Sequence, residues 1–221
     1  MPERDDLSVG YPTVVTLRWW YDLRMTVVIA SKCQEGVLLA SDTRGRQYIP
    51  DVREKESVDG VSKIFPMSDK VAVLSFGAGL QDFDKRLEGH AKSQKANIAA
   101  GLIKDQPDLD LFKNTLPHFF NYTYLDQPDD MEDSAGFLLV SKNETYSLHS
   151  NSDFAPEKID ADYKVAGVPD ILFEGDKKLT ARETADRAIK AIEYCAKKYK
   201  DDVNNDVQMW LITDSGMSRF T

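Results

Sequence analysis

The chain has 221 residues, 42% of them apolar, with a net charge of −9 and two cysteines, enough to bury a core in one large or two small domains. The acidic balance opposes nucleic acid, whose partners neutralise phosphates with lysine and arginine, and apolar runs such as Val71 to Leu74 are far shorter than the ~20 residues of a membrane span. Cys33 and Cys195 read as separate core residues, and none of His90, His118 and His149 has a second ligand at metal spacing, so a cytoplasmic protein with no metal or cofactor is expected.

Residues 1 to 23 mix charges and prolines with a Trp19-Trp20-Tyr21 cluster and show no period of two or 3.6 residues. Residues 1–25 therefore read as a leader, a propeptide or an untranslated upstream segment, and residues 26–221 as the folded domain. Strands are predicted at Thr26 to Cys33 and Gly36 to Ser41 around the turn Gln34-Glu35-Gly36, then at Lys63 to Met67 and Lys70 to Gly77 around Ser68-Asp69. Helical character follows from Leu80 to about Ile103 and from Leu109 to about Tyr124. Beyond an acidic loop, Asp126 to Asp133, strands are predicted at Gly136 to Ser141, Glu144 to His149 and Tyr163 to Ala166. Thr180-Ala181-Arg182-Glu183 is a capping box, and Ala185, Ala188, Ile192, Cys195 and Tyr199 share one helical face behind it. Strands at Val207 to Thr213 and Met217 to Phe220 close the chain. Grouped strands and helices point to an α+β layered domain.

The hairpins carry the chemistry. With the first turn centred on Gln34 and Glu35, antiparallel pairing sets Thr26 opposite Thr43 and beside Asp42. The second turn sets Lys63 near Leu74 and Ser75, one step from Gly77-Ala78-Gly79. A hydroxyl, a carboxylate and an amine then share one sheet end, beside glycines that allow close backbone approach. A threonine hydroxyl becomes a useful nucleophile when a base takes its proton, and a free α-amine on the same residue serves near neutral pH. A lysine beside it assists the transfer, an aspartate orients the lysine, and a backbone N–H from the glycine turn stabilises an oxyanion. The competing interpretation is that these residues are solvated strand caps and turn formers.

"TVVIASKCQEGVLLASDTR" followed by "SKIFPMSDKVAVLSFGAGLQDF" resembles the opening of proteasome β subunits and of the peptidase partner of a bacterial ATP-dependent protease, both N-terminal nucleophile hydrolases. The resemblance runs from Thr26 almost to the C-terminus. It implies a four-layer αββα sandwich, hydrolysis of peptide bonds in peptides or unfolded proteins, and self-assembly into rings, with related subunits or a regulatory ATPase as further partners. It places Thr26 as nucleophile, Asp42 and Lys63 as the active-site acid and lysine, and Gly77 as oxyanion donor. Asp201 and Asn204 fall where the family supports the threonine's amine, and Gly45, Val61, Phe65, Ser75 and Gly79 fall where it lines the substrate pocket.

The chain departs from that family at "AGVPD", where the helper serine is replaced by Val168 or lost, and at Asn204-Asn205-Asp206. Met25 stands where the leader usually ends in glycine. Translation from Met25 and removal of that methionine would expose Thr26 directly. A non-catalytic ring subunit, and an amidohydrolase or transpeptidase with the same nucleophile, are the alternative functions.

Overall fold

The computed structural model describes residues 20–23, 26–49, 54–80, 83–104, 106–124, 135–168 and 171–221. The expected acidic loop at 126–133 and most of the leader lie outside them. The described residues form a mixed α+β protein with two antiparallel sheets and three α-helices.

One sheet contains β1 (Trp20–Leu23), β4 (Gly45–Ile49), β5 (Glu54–Val58), β6 (Ile64–Pro66), β7 (Val71–Leu80), β8 (Gly136–Ser141), β9 (Thr145–His149) and β10 (Glu157–Lys158). Its order is β10-β9-β8-β7-β1-β4-β5, with β6 also paired to β7. The other contains β2 (Val27–Lys32), β3 (Val37–Asp42), β11 (Tyr163–Gly167), β12 (Val207–Thr213) and β13 (Gly216–Arg219), in the order β11-β2-β3-β12-β13. The helices are α1 (Phe83–Ala99), α2 (Asp108–Tyr124) and α3 (Ala181–Lys198).

Both hairpin registers agree with the sequence arithmetic. Val28 faces Ser41 and Lys32 faces Val37; Ile64 faces Leu74 and Pro66 faces Ala72. The run Val27-Val28-Ile29-Ala30 is apolar at every position because both faces of β2 are covered. Val28 and Ala30 join Leu39, Ala72, Leu74, Leu138 and Ile212 in one buried cluster drawn from both sheets. Val27 and Ile29, pointing the other way, pack with Leu38, Ala188, Ile192 and Cys195 against α3. A third cluster sets Val73, Phe137 and Leu139 under Leu87, Leu111 and Phe120 of α1 and α2. Phe120 stacks on Phe137 there at 4.0 Å between centroids and 10° between planes.

Thr180 caps α3 as predicted, accepting from the Glu183 N–H while Glu183 accepts from the Thr180 N–H. Two differences from the sequence reading matter for the site. Strand β7 continues through Gly77, Ala78 and Gly79 to Leu80, so α1 begins only at Phe83. The reason is β1, which lies along that extension with Leu23 opposite Gly77 and Trp20 opposite Leu80. Strands β4 and β5, where the sequence reading places no element, pair antiparallel with Gly45 opposite Val58 and Ile49 opposite Glu54.

Candidate active site

Thr26 directly precedes β2 and Asp42 ends β3, so the hairpin register alone brings them together. Thr26 Oγ1 donates to Asp42 Oδ1 at 3.1 Å. The same oxygen accepts from the Val27 N–H at 2.8 Å and from Lys63 Nζ at 2.7 Å. Asp42 Oδ2 accepts from the Arg44 N–H at 3.0 Å. Lys63 arrives from the loop before β6, where its carbonyl accepts from the Ser75 N–H at 2.9 Å and is thereby pinned to β7.

Burial makes this cluster chemically distinct from a set of strand caps. Thr26 is 1% exposed, and Asp42 and Lys63 are 0% exposed. An ammonium removed from water must be paired, and Asp42 supplies the partner. Desolvation pulls the Lys63 ammonium below the ordinary lysine range, and the charge and hydrogen bond of Asp42 oppose that shift. The arrangement points the Thr26 hydroxyl and the Lys63 ammonium at one carboxylate oxygen, out of water.

The Thr26 backbone is fixed from the opposite side. Its carbonyl accepts from the Val168 N–H at 2.9 Å, and a Cβ added to Gly167 would lie 1.7 Å from that oxygen. Gly167 has φ +108°, so both its shape and its conformation require glycine. Val168, where the resemblance has a serine, contributes its N–H here while its side chain joins the cluster under α3.

Gly77 is buried, has φ +85°, and sits in β7 opposite Leu23. Gly45 starts β4, and Gly79 lies in β7 opposite Tyr21 of β1. Those strands flank β1 on its two sides, Tyr21 also facing Gln47 of β4. Val61 is half-buried and donates its N–H to the Thr43 carbonyl at 2.8 Å. Ser75 is 1% exposed, and its Oγ has no hydrogen-bond partner among the described residues. Phe65 instead belongs to the core beneath α1 and α2, with 8% exposure.

The two remaining candidates stand one step back. Asn204 meets Thr43, accepting from its N–H at 3.0 Å and donating to its Oγ1 at 3.1 Å. Asp201 is exposed, and its carbonyl accepts from Ser57 Oγ at 2.8 Å. Among the described residues neither forms a hydrogen bond with Thr26. A contact that sequence reasoning did not single out joins Arg44 to Asp59 through two bonds, at 2.7 and 3.0 Å. The "DTR" triplet held half of that signal, but its partner lies in an irregular loop.

No group of residues that could hold a metal ion occurs among the described residues, and no described helix is long and apolar enough to cross a membrane. Compared with known proteins, the chain matches no protein-family model and no curated sequence at a significant level.

Proposed function

We propose that this chain is a threonine endopeptidase of the N-terminal nucleophile type, built as a four-layer αββα sandwich and assembled into proteasome-like rings in the cytoplasm. The observation that carries the reading is the fully buried cluster in which one Asp42 oxygen receives both the Thr26 hydroxyl and the Lys63 ammonium. The layered reading rests on the three apolar clusters, one between the sheets and one under each helical layer.

In the proposed reaction, Thr26 is freed from Met25, and its α-amine takes the hydroxyl proton as the oxygen attacks a peptide carbonyl. Lys63 stabilises the developing charge next to the oxygen, Asp42 holds Lys63 in place, and the Gly77 N–H stabilises the oxyanion. The proton passes to the departing amine, and water then releases the acyl group from Thr26. Strand β1 supports the substrate class. It lies extended between β4 and β7, antiparallel to both, in the manner of a peptide added to open sheet edges. A peptide or unfolded chain would take that place once residues 1–25 are gone.

The second reading is a non-catalytic ring subunit. It is favoured by Val168 in place of a helper serine and by Asn204 engaging Thr43. Intact-mass measurement on protein from its native cell, combined with a peptide-epoxyketone probe, separates the two. The peptidase reading expects a chain beginning at Thr26 that is labelled covalently, with labelling lost in Thr26→Ala. A cellular chain that retains Met25 and resists the probe would overturn it. An acyl-threonine that passes to an added amine faster than to water would redirect the assignment to a transpeptidase.

A further inference from the structure

Three loops from separate parts of the chain converge behind Asp42. Arg44 follows β3, Asp59 follows β5, and Asn204 lies between α3 and β12. Arg44 donates through Nε and Nη2 to the two Asp59 oxygens at 2.7 and 3.0 Å, and through Nη1 to the Lys200 carbonyl at 2.6 Å. Asn204 Nδ2 donates to Asp59 Oδ1 at 3.0 Å, while Asn204 also grips both the N–H and the hydroxyl of Thr43. Thr43 Oγ1 in turn donates to Asp206 Oδ2 at 2.9 Å. The backbone 42–44 is thus held at each residue after Asp42 by groups remote in sequence.

We infer that Asp59 and Asn204, acting through Arg44 and Thr43, are positioning residues that aim the Asp42 carboxylate at Thr26 and Lys63. The causal link is the Arg44 N–H. It holds Asp42 Oδ2 at 3.0 Å, which turns Oδ1 toward the hydroxyl and the ammonium. A carboxylate on a free strand end would rotate about χ2, whose well is broad. The Asp59 side chain is 58% exposed, so its ion pair contributes little to stability as a surface pair. Its forked geometry nevertheless fixes the orientation of Arg44. Asn204 was placed by resemblance beside the Thr26 amine; here its effect travels through the turn. The role in catalysis rests on the peptidase reading, whereas the aiming of Asp42 does not.

The test uses the full chain expressed in its native cell, with Asp59→Asn, Asn204→Ala and the double variant. Each single variant is expected to lower kcat for peptide hydrolysis by roughly tenfold with KM unchanged, since geometry and not substrate contact is lost. The double variant is expected to lose no more than either single one, because one clamp broken twice is still one clamp. Independent losses that multiply, or a change confined to KM, would overturn the inference.

A second measurement does not depend on hydrolysis. Lysine Cε labelled with carbon-13 and assigned through Lys63→Arg reports Lys63 titration, Asp42 being the charged group bonded to Lys63. Both single variants are expected to move it downward, as a misaimed Asp42 no longer offsets desolvation. An unmoved Lys63 titration would overturn the clamp even if peptidase activity is robust. If the wild-type chain hydrolyses nothing while the titration still moves, the peptidase reading fails and the clamp stands.

Discussion

Two lysine–aspartate pairs lie in different regions of the same protein. Lys63 and Asp42 meet at 2.7 Å with both side chains 0% exposed. Lys142 and Asp214 meet between the β8–β9 and β12–β13 turns with side chains 34% and 88% exposed, at the rim of an open cleft of about 770 Å³. The residue types are the same, and the solvent differs. In the cleft, water screens the charges and the pair is replaceable. In the core, each charge depends on the other, and the attached Thr26 hydroxyl shares that environment.

Breaking the buried pair gives the largest expected effect. Lys63→Met retains an unbranched side chain of similar length but leaves the Asp42 carboxylate without its cation, so a loss of about 3–5 kcal/mol is expected in chemical denaturation. The pH dependence provides a separate signature. The folded Lys63 value lies below the ordinary one, so between that value and about 10.4 the unfolded chain binds the proton more tightly. Wild-type stability should gain from this group as pH rises through the window, and that contribution should be absent from Lys63→Met. Identical slopes in the two proteins would show that Lys63 titrates normally.

Gly167→Ala tests the other wall of the site. Its Cβ would press on the Thr26 carbonyl from 1.7 Å and occupy a φ of +108°, a conformation whose strain is on the order of 1–3 kcal/mol. If the peptidase proposal holds, reactivity of Thr26 toward an electrophilic peptide probe should fall by about tenfold or more, because the Thr26 backbone is displaced. A variant with wild-type melting and labelling would mean that the β11 end yields easily.

How much of this was legible before the fold depended on the range of the interaction. The Thr26–Asp42 neighbourhood follows from one hairpin, whose short turn at Gly36 fixes the register. Lys63 followed from a second hairpin in the same way. Helix α3 could be read because Thr180, Glu183 and its apolar stripe are local signals. Strand β1 was not legible, since Trp20 to Leu23 take their hydrogen-bond partners from Arg46 to Tyr48 and from Gly77 to Leu80. Nor was β5, whose Glu-Lys-Glu-Ser-Val sequence carries no apolar period. The Arg44–Asp59–Asn204 contacts escaped for a related reason: three irregular loops meet there, and no sequence period specifies where a loop goes.

A local signal allows a smaller, cleaner test. Thr180→Ala removes the acceptor for the Glu183 N–H at 3.2 Å and the reciprocal hydroxyl contact. Lost N-caps cost about 1 kcal/mol. Because the α3 face contributes Ala188, Ile192 and Cys195 to the cluster behind β2, denaturant midpoint should fall while peptide-probe labelling of Thr26 stays near wild type. Labelling that falls in step with stability would instead tie the helix start to the site.

The smallest effect is expected at the exposed pair, and it completes the comparison. Lys142→Ala removes a cation from Asp214, which remains largely hydrated and loses little by standing alone. The expected change is within about 1 kcal/mol, shrinking further at 1 M salt, where screening acts over ~3 Å. The informative quantity is the contrast with Lys63→Met measured under the same two salt conditions. Salt should erase the Lys142 effect and leave the Lys63 effect intact, because ions cannot enter a pair with no exposed surface. If salt reduced both alike, the Lys63–Asp42 pair would have to be reached by solvent, and the water-free setting of the Thr26 hydroxyl would lose its physical basis.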